Sequence, residues 1–146
     1  MGLQRMLRAN APALLDDLRG WVRNGSWLEV RAALAALAEP DLIANPKLAR
    51  FALELHDVAL ERLAAVPATA RRSEGFVAFR KGMGYTWSVV VAGLPEEGFA
   101  AMRRWAKEAP GTGDRDVRWV LKENLKKGRL SRRYGEQVAE LLSQLG

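Results

Sequence analysis

Six residues in the last third of the chain have types and spacing that could bind an anion: Arg115, Arg118, Trp119, Lys122, Lys126 and Arg129. Read as one helix at about 100° per residue, the five cations share a stripe about 80° wide, with Trp119 at its border. Cations in line beside an aromatic ring suit a phosphate backbone with a base to stack. The cations neutralise phosphates and release counterions, and the ring offers a flat face. The same pattern also describes a solvated helix face, with Lys and Arg favourable near a helix C-terminus. A second use is open to Trp119, packing against the final helix or the Lys126 stem. Residues 111–135 hold eight basic side chains against three acids, so most of the net charge of +6 sits here.

Other groups carry less chemistry. His56 is the only histidine, and its helix offers no second ligand at metal-binding spacing. One histidine cannot complete a nucleophile–base–acid set, so a surface or capping role is expected for it. Asp16 and Asp17 diverge by about 100° on a helix and read as solvated rather than as a carboxylate pair. Gly111-Thr112-Gly113 lacks the spacing of a phosphate loop and follows no strand. Gly82-Met83-Gly84 reads as a place where a neighbouring helix comes close. With no cysteine, there is no disulfide or thiolate metal site. No catalytic residue, metal site or cofactor is expected.

The elements that must position the cations are helices. Asn10 with Pro12 starts the first, Leu14, Leu15, Leu18, Trp21 and Val22 line it, and Asn24-Gly25 stops it. Ser26-Trp27-Leu28-Glu29 is a capping box for the second, which Pro40 ends. Asn45-Pro46 starts the third, and Val66-Pro67 closes it. Residues 68–72 form a polar connector, and Ser73-Glu74 opens the fourth helix. Tyr85-Thr86-Trp87-Ser88-Val89-Val90-Val91 alone favours strand, but the 3.6-residue period from Phe76 to Leu94 runs through it, so helix is predicted. Pro95-Glu96-Glu97 begins the fifth helix, and Pro110-Gly111-Thr112-Gly113 is a loop. Asp114 caps the sixth, whose core face is Val117, Leu121, Asn124 and Leu125. Gly128 ends it, and Ser131 caps the seventh. Trp21, Trp27, Trp87 and Trp105 fall on apolar stripes and are expected inside.

Two helix openings are alike. Ser26-Trp27-Leu28-Glu29-Val30-Arg31 and Gly113-Asp114-Arg115-Asp116-Val117-Arg118 each place an acid and then Val-Arg before an apolar face. The Val-Arg pairs lie about ninety residues apart, near two units of the ~40–47-residue HEAT and armadillo period. The stretch from Asp114 to Lys127, after an amphipathic helix and a Pro-Gly loop, resembles a bacterial HEAT-like repeat. Gly84 to Ala92, followed by Leu94-Pro95, is similar to the preceding repeat in the same small proteins. The resemblance covers residues 73–130 and, more loosely, 11–66. It implies an α-α superhelix that presents a binding surface. The superfamily includes bacterial DNA alkylation repair glycosylases, which hold DNA on a basic concave surface and use an aspartate with aromatic neighbours. That aspartate has no single counterpart in this chain.

The expectation is therefore one all-α domain over residues 1–146, a right-handed HEAT/armadillo-like solenoid of about three helix pairs plus a C-terminal capping helix. Its expected function is that of a non-enzymatic scaffold for protein partners. The alternative is DNA binding through the basic helix face, related to DNA alkylation repair. Met1 to Arg8 has no apolar region of the signal-peptide kind, and no apolar run approaches a membrane span. No membrane partner is expected, and the expected location is the cytoplasm.

Overall fold

A run of local stop and start signals divides the chain into helices, and the computed structural model places them for residues 5, 12–107 and 113–146. The Asn10 cap and the Pro110-Gly111-Thr112 part of the loop lie outside the described residues. Among the described residues every regular element is helical, with no strand. The α-helices are α1 (Pro12–Asn24), α2 (Trp27–Leu37), α3 (Pro40–Ile43), α4 (Pro46–Ala65), α5 (Glu74–Gly93), α6 (Pro95–Lys107), α7 (Arg115–Leu125), α8 (Gly128–Ser131) and α9 (Gly135–Leu145), with a 3₁₀ turn at Ala68–Ala70.

The caps explain most boundaries. Ser26 Oγ accepts from the Glu29 N–H at 3.2 Å while Glu29 Oε1 accepts from the Ser26 N–H at 2.8 Å, the reciprocal pair expected of a capping box. Asn45 Oδ1 accepts from the Lys47 N–H, with Pro46 at the first helical position. Ser73 Oγ accepts from the Phe76 N–H, and Asp114 Oδ1 from the N–H groups of Asp116 and Val117. Residues 84–92 are helical throughout. Their strand propensity is overridden because Trp87, Val90 and Val91 are fully buried at helical spacing.

Helix α5 is the centre of the molecule. It packs against α2 on one side and α7 on the other, with α4, α6, α3 and α8 around it. The consecutive pairs α1–α2, α4–α5 and α6–α7 each pack together, and α9 lies on α6 and α7. Buried side chains from all nine α-helices among the described residues form one core, with Trp87, Phe76 and Phe79 its largest fully enclosed members.

Several local expectations are corrected. The second helix ends at Leu37, and Pro40 starts a short helix of its own. The basic helix ends at Leu125 rather than at Gly128, which begins α8. Ser131 lies inside α8, and α9 starts after Tyr134, which makes no side-chain cap bond. Trp21 is 38% exposed rather than in the core. Trp105 and Trp27 are half-buried. Trp105 donates its indole N–H to Asp57 Oδ1 at 2.9 Å, and Trp27 stacks on Phe79. No described helix is long and apolar enough to cross a membrane.

Candidate nucleic-acid interface

The orientation of α7 is set by its apolar face and one amide. Val117, Val120, Leu121 and Leu125 are fully buried. So is Asn124, which spans the α5 backbone: its Oδ1 accepts from the Ser88 N–H at 2.8 Å, and its Nδ2 donates to Met83 O at 2.8 Å and Val120 O at 2.7 Å. Only this arrangement of the amide satisfies both ends, because an N–H needs an acceptor and a carbonyl a donor. With that face locked, Arg115, Arg118 and Lys122 lie off the buried face, and Trp119 sits partly buried at its edge. Together with Gly113 they line a surface hollow of about 300 Å³.

Trp119 packs against α5, where the Arg80 guanidinium sits 3.8 Å from the ring centroid. A Cβ on Gly84 would come within 2.9 Å of Trp119 Cη2 and Cζ3, so only glycine leaves room for the ring. One face of the indole is therefore occupied by a cation, in an attractive arrangement. Tyr85 on α5 is a second exposed aromatic ring, 47% exposed, with the Arg129 guanidinium 4.9 Å from its centroid.

A lattice of arginines and carboxylates ties the start of α7 to the segment before α5. Arg71 Nη2 bonds to Asp114 Oδ2 at 2.8 Å and Arg71 Nη1 to Asp114 Oδ1 at 2.9 Å, the fork-on-fork geometry that suits guanidinium and carboxylate. The same Nη1 donates to Asp116 Oδ2 at 2.9 Å. Its Nε and Nη2 donate to the Val66 and Ala64 carbonyls. Arg80 Nε donates to the other Asp116 oxygen at 2.7 Å. Burial pushes the Asp114 carboxyl up, but the Arg71 hydrogen bonds and charge and the two backbone N–H groups outweigh it and hold Asp114 below the usual carboxylate range. Bonding to Asp114 in turn raises the Arg71 guanidinium, against the opposing effect of its burial.

The structure brings together four of the six sequence-predicted residues and separates two. Lys126 lies past the end of α7, exposed and paired with Glu123 at 2.8 Å. Arg129 belongs to α8, so the helical wheel that joined it to Arg118 does not apply. It donates to Ser88 Oγ at 2.7 Å instead. Arg118 is partly spent, since its Nη2 donates to the Leu145 carbonyl at the end of α9. Arg115 and Lys122 make no hydrogen bond or ion pair among the described residues. Arg71, Arg80 and Tyr85 were not singled out by sequence. No local pattern marks them, because their partners lie on α7 and α8.

His56 is fully buried rather than on the surface. Its Nδ1 lies 2.7 Å from Ala52 O and its Nε2 2.9 Å from Thr86 Oγ1. A carbonyl only accepts, so Nδ1 carries the proton and Nε2 accepts from the Thr86 hydroxyl. Burial lowers its pKa to about 4, against a smaller upward pull from the Ala52 hydrogen bond. The neutral ring bridges α4 and α5 and lies in the core. Among the described residues no group of three or more histidines and carboxylates could hold a metal ion. Compared with known protein families, with curated proteins and with solved structures, the chain matches none.

Proposed function

We propose that this protein is a non-enzymatic module that binds nucleic acid on the face formed by α5 and α7. The observation that carries the proposal is the hollow in which Arg115, Arg118 and Lys122 surround Trp119, itself braced by Arg80. Cations with no carboxylate partner among the described residues are left to neutralise successive phosphates. Tyr85 adds a more exposed ring for a base, and each ring carries a guanidinium over one face, Arg129 on Tyr85 and Arg80 on Trp119. Binding of this kind is electrostatic and tolerant of sequence.

The proposal goes with a right-handed, HEAT-like α-α superhelix in which α1–α2, α4–α5 and α6–α7 are the pairs and α9 the cap. In support, the second helices of the pairs, α2, α5 and α7, pack side by side in chain order, as stacked repeats do. A second reading, a scaffold for a protein partner, draws on Leu28 and Val77, which are 58% and 40% exposed on α2 and α5.

The test is fluorescence anisotropy of labelled single-stranded and duplex DNA across a salt series. Affinity is expected at micromolar or weaker in physiological salt and should fall steeply as salt rises. Arg115→Glu with Lys122→Glu should abolish binding while leaving the fold intact, since neither side chain holds a partner among the described residues. No binding at low salt, or binding indifferent to the double charge reversal, removes the nucleic-acid proposal and leaves the protein scaffold.

A further inference from the structure

A second and larger concavity has Arg80 in its own wall. Ala68, Arg71, Arg72, Val77, Arg80, Arg115 and Asp116 line a cleft of about 610 Å³ between the 3₁₀ turn, the first turns of α5 and the start of α7. Its electrostatics divide into two groups. Arg71 spends every N–H on Asp114, Asp116 and two backbone carbonyls. Asp116 is buried and gives one oxygen to Arg71 and the other to Arg80. The two carboxylates are thus consumed by Arg71 and by the Nε of Arg80. Arg72 and Arg115 remain with no carboxylate partner among the described residues, and the Nη groups of Arg80 make no described bond. The acids do not neutralise the cleft. Asp116 fixes Arg80 in place, with Trp119 as its backstop at 3.8 Å.

We infer that this cleft is a phosphate seat, in which Arg72, Arg80 and Arg115 hold the oxygens of one phosphate group. Three guanidiniums on the wall of one cleft can meet a tetrahedral phosphate from several directions, whereas a carboxylate offers its two oxygens in a single plane. The volume exceeds that of a bare anion and lies within the range of small-ligand sites. Val77 and Ala68 supply apolar wall for the sugar or base attached to the phosphate. Arg115 lines both this cleft and the α7 hollow. A polyanion can therefore run from one to the other past the edge of the Arg80–Trp119 stack. On the nucleic-acid proposal, on which this assignment of source rests, the phosphate is a backbone phosphodiester, and the two concavities take neighbouring units of one strand.

Arg72 separates the two sites, because it lines the cleft and not the hollow. It is exposed, so Arg72→Gln should fold normally. Binding of a labelled single strand of about 15 nucleotides, within the usual site size, is measured over a salt series for the wild type, Arg72→Gln and Lys122→Gln. Each variant should bind several-fold more weakly. Each should also lower the slope of log K against log salt by about 0.7, the loss of one phosphate contact on a single strand. An unchanged slope for Arg72→Gln beside a reduced one for Lys122→Gln would overturn the phosphate seat and leave the α7 hollow standing. If the wild type binds no strand, the nucleic-acid proposal falls and the cleft is tested by inorganic phosphate at constant ionic strength. A rise in Tm with phosphate in the wild type but not in Arg72→Gln keeps the seat as a site for a free phosphate or phosphate ester. Equal rises, or none, overturn it.

Discussion

The guanidinium of Arg80 lies 3.8 Å from the centroid of the Trp119 ring, and Asp116 holds its Nε at 2.7 Å. The pair joins α5 to α7, and Arg80 lines the larger cleft while Trp119 lines the smaller hollow. Because a Cβ on Gly84 would meet the ring at 2.9 Å, Gly84→Ala must push Trp119 away from α5. The expected cost is about 1–3 kcal/mol, as for other overpacked sites. It should be largely relieved in a Trp119→Leu background. Denaturant unfolding of the four proteins in this cycle checks it, and an equal cost in both backgrounds would show that the ring is not what Gly84 accommodates.

Leu121 has no exposed surface on the core side of α7. Leu121→Ala should lose about 2–5 kcal/mol, as buried leucine truncations do. A loss below about 0.5 kcal/mol would mean that α7 is rotated, and with it the cationic hollow.

Asn124 ties α7 to the α5 backbone through Ser88 N–H and Met83 O. Asn124→Leu would leave a buried donor and a buried acceptor without their partner. The expected loss is roughly 2–4 kcal/mol, the cost of unpaired buried polar groups. Amide exchange at Ser88 should quicken more than at Val90 or Val91. Uniform quickening would argue against a direct bond.

Burial keeps His56 neutral with a pKa of about 4, below the ordinary value of 6.5. Between these values the unfolded chain binds a proton that the folded one does not. Stability is therefore full above pH 6.5 and falls by about 1.4 kcal/mol per unit as pH drops from 6.5 towards 4. Asp114, held low in the folded state, adds a loss in the same direction only at still lower pH. Urea unfolding between pH 7 and 4.5 should show the slope in the wild type and not in His56→Gln. A slope unchanged in that variant would assign the effect to another group.

Much of the fold was legible as local code. The Ser26–Glu29 capping box, the Asn45, Ser73 and Asp114 caps and the Phe76–Leu94 period all act within a few residues of chain, and each formed the element it predicted. The core face of α7 was readable for the same reason, since Val117, Leu121, Asn124 and Leu125 share one side of a helix by spacing alone. The candidate site was legible only in part. Arg115, Arg118, Trp119 and Lys122 do meet in one hollow, but Lys126 and Arg129 do not, because the helix ends at Leu125 and a wheel drawn past that point has no physical axis. Tertiary packing decided the rest. His56 looked solvent-facing until α5 supplied Thr86 as a partner across 30 residues of chain. Arg71 and Arg80 were two more cations among the chain's 23 until α7 brought Asp114 and Asp116 against them. Which charges are consumed and which remain to meet a ligand depends on distances between helices. Local spacing carries the period of each helix, and only the packed core sets the distances between them.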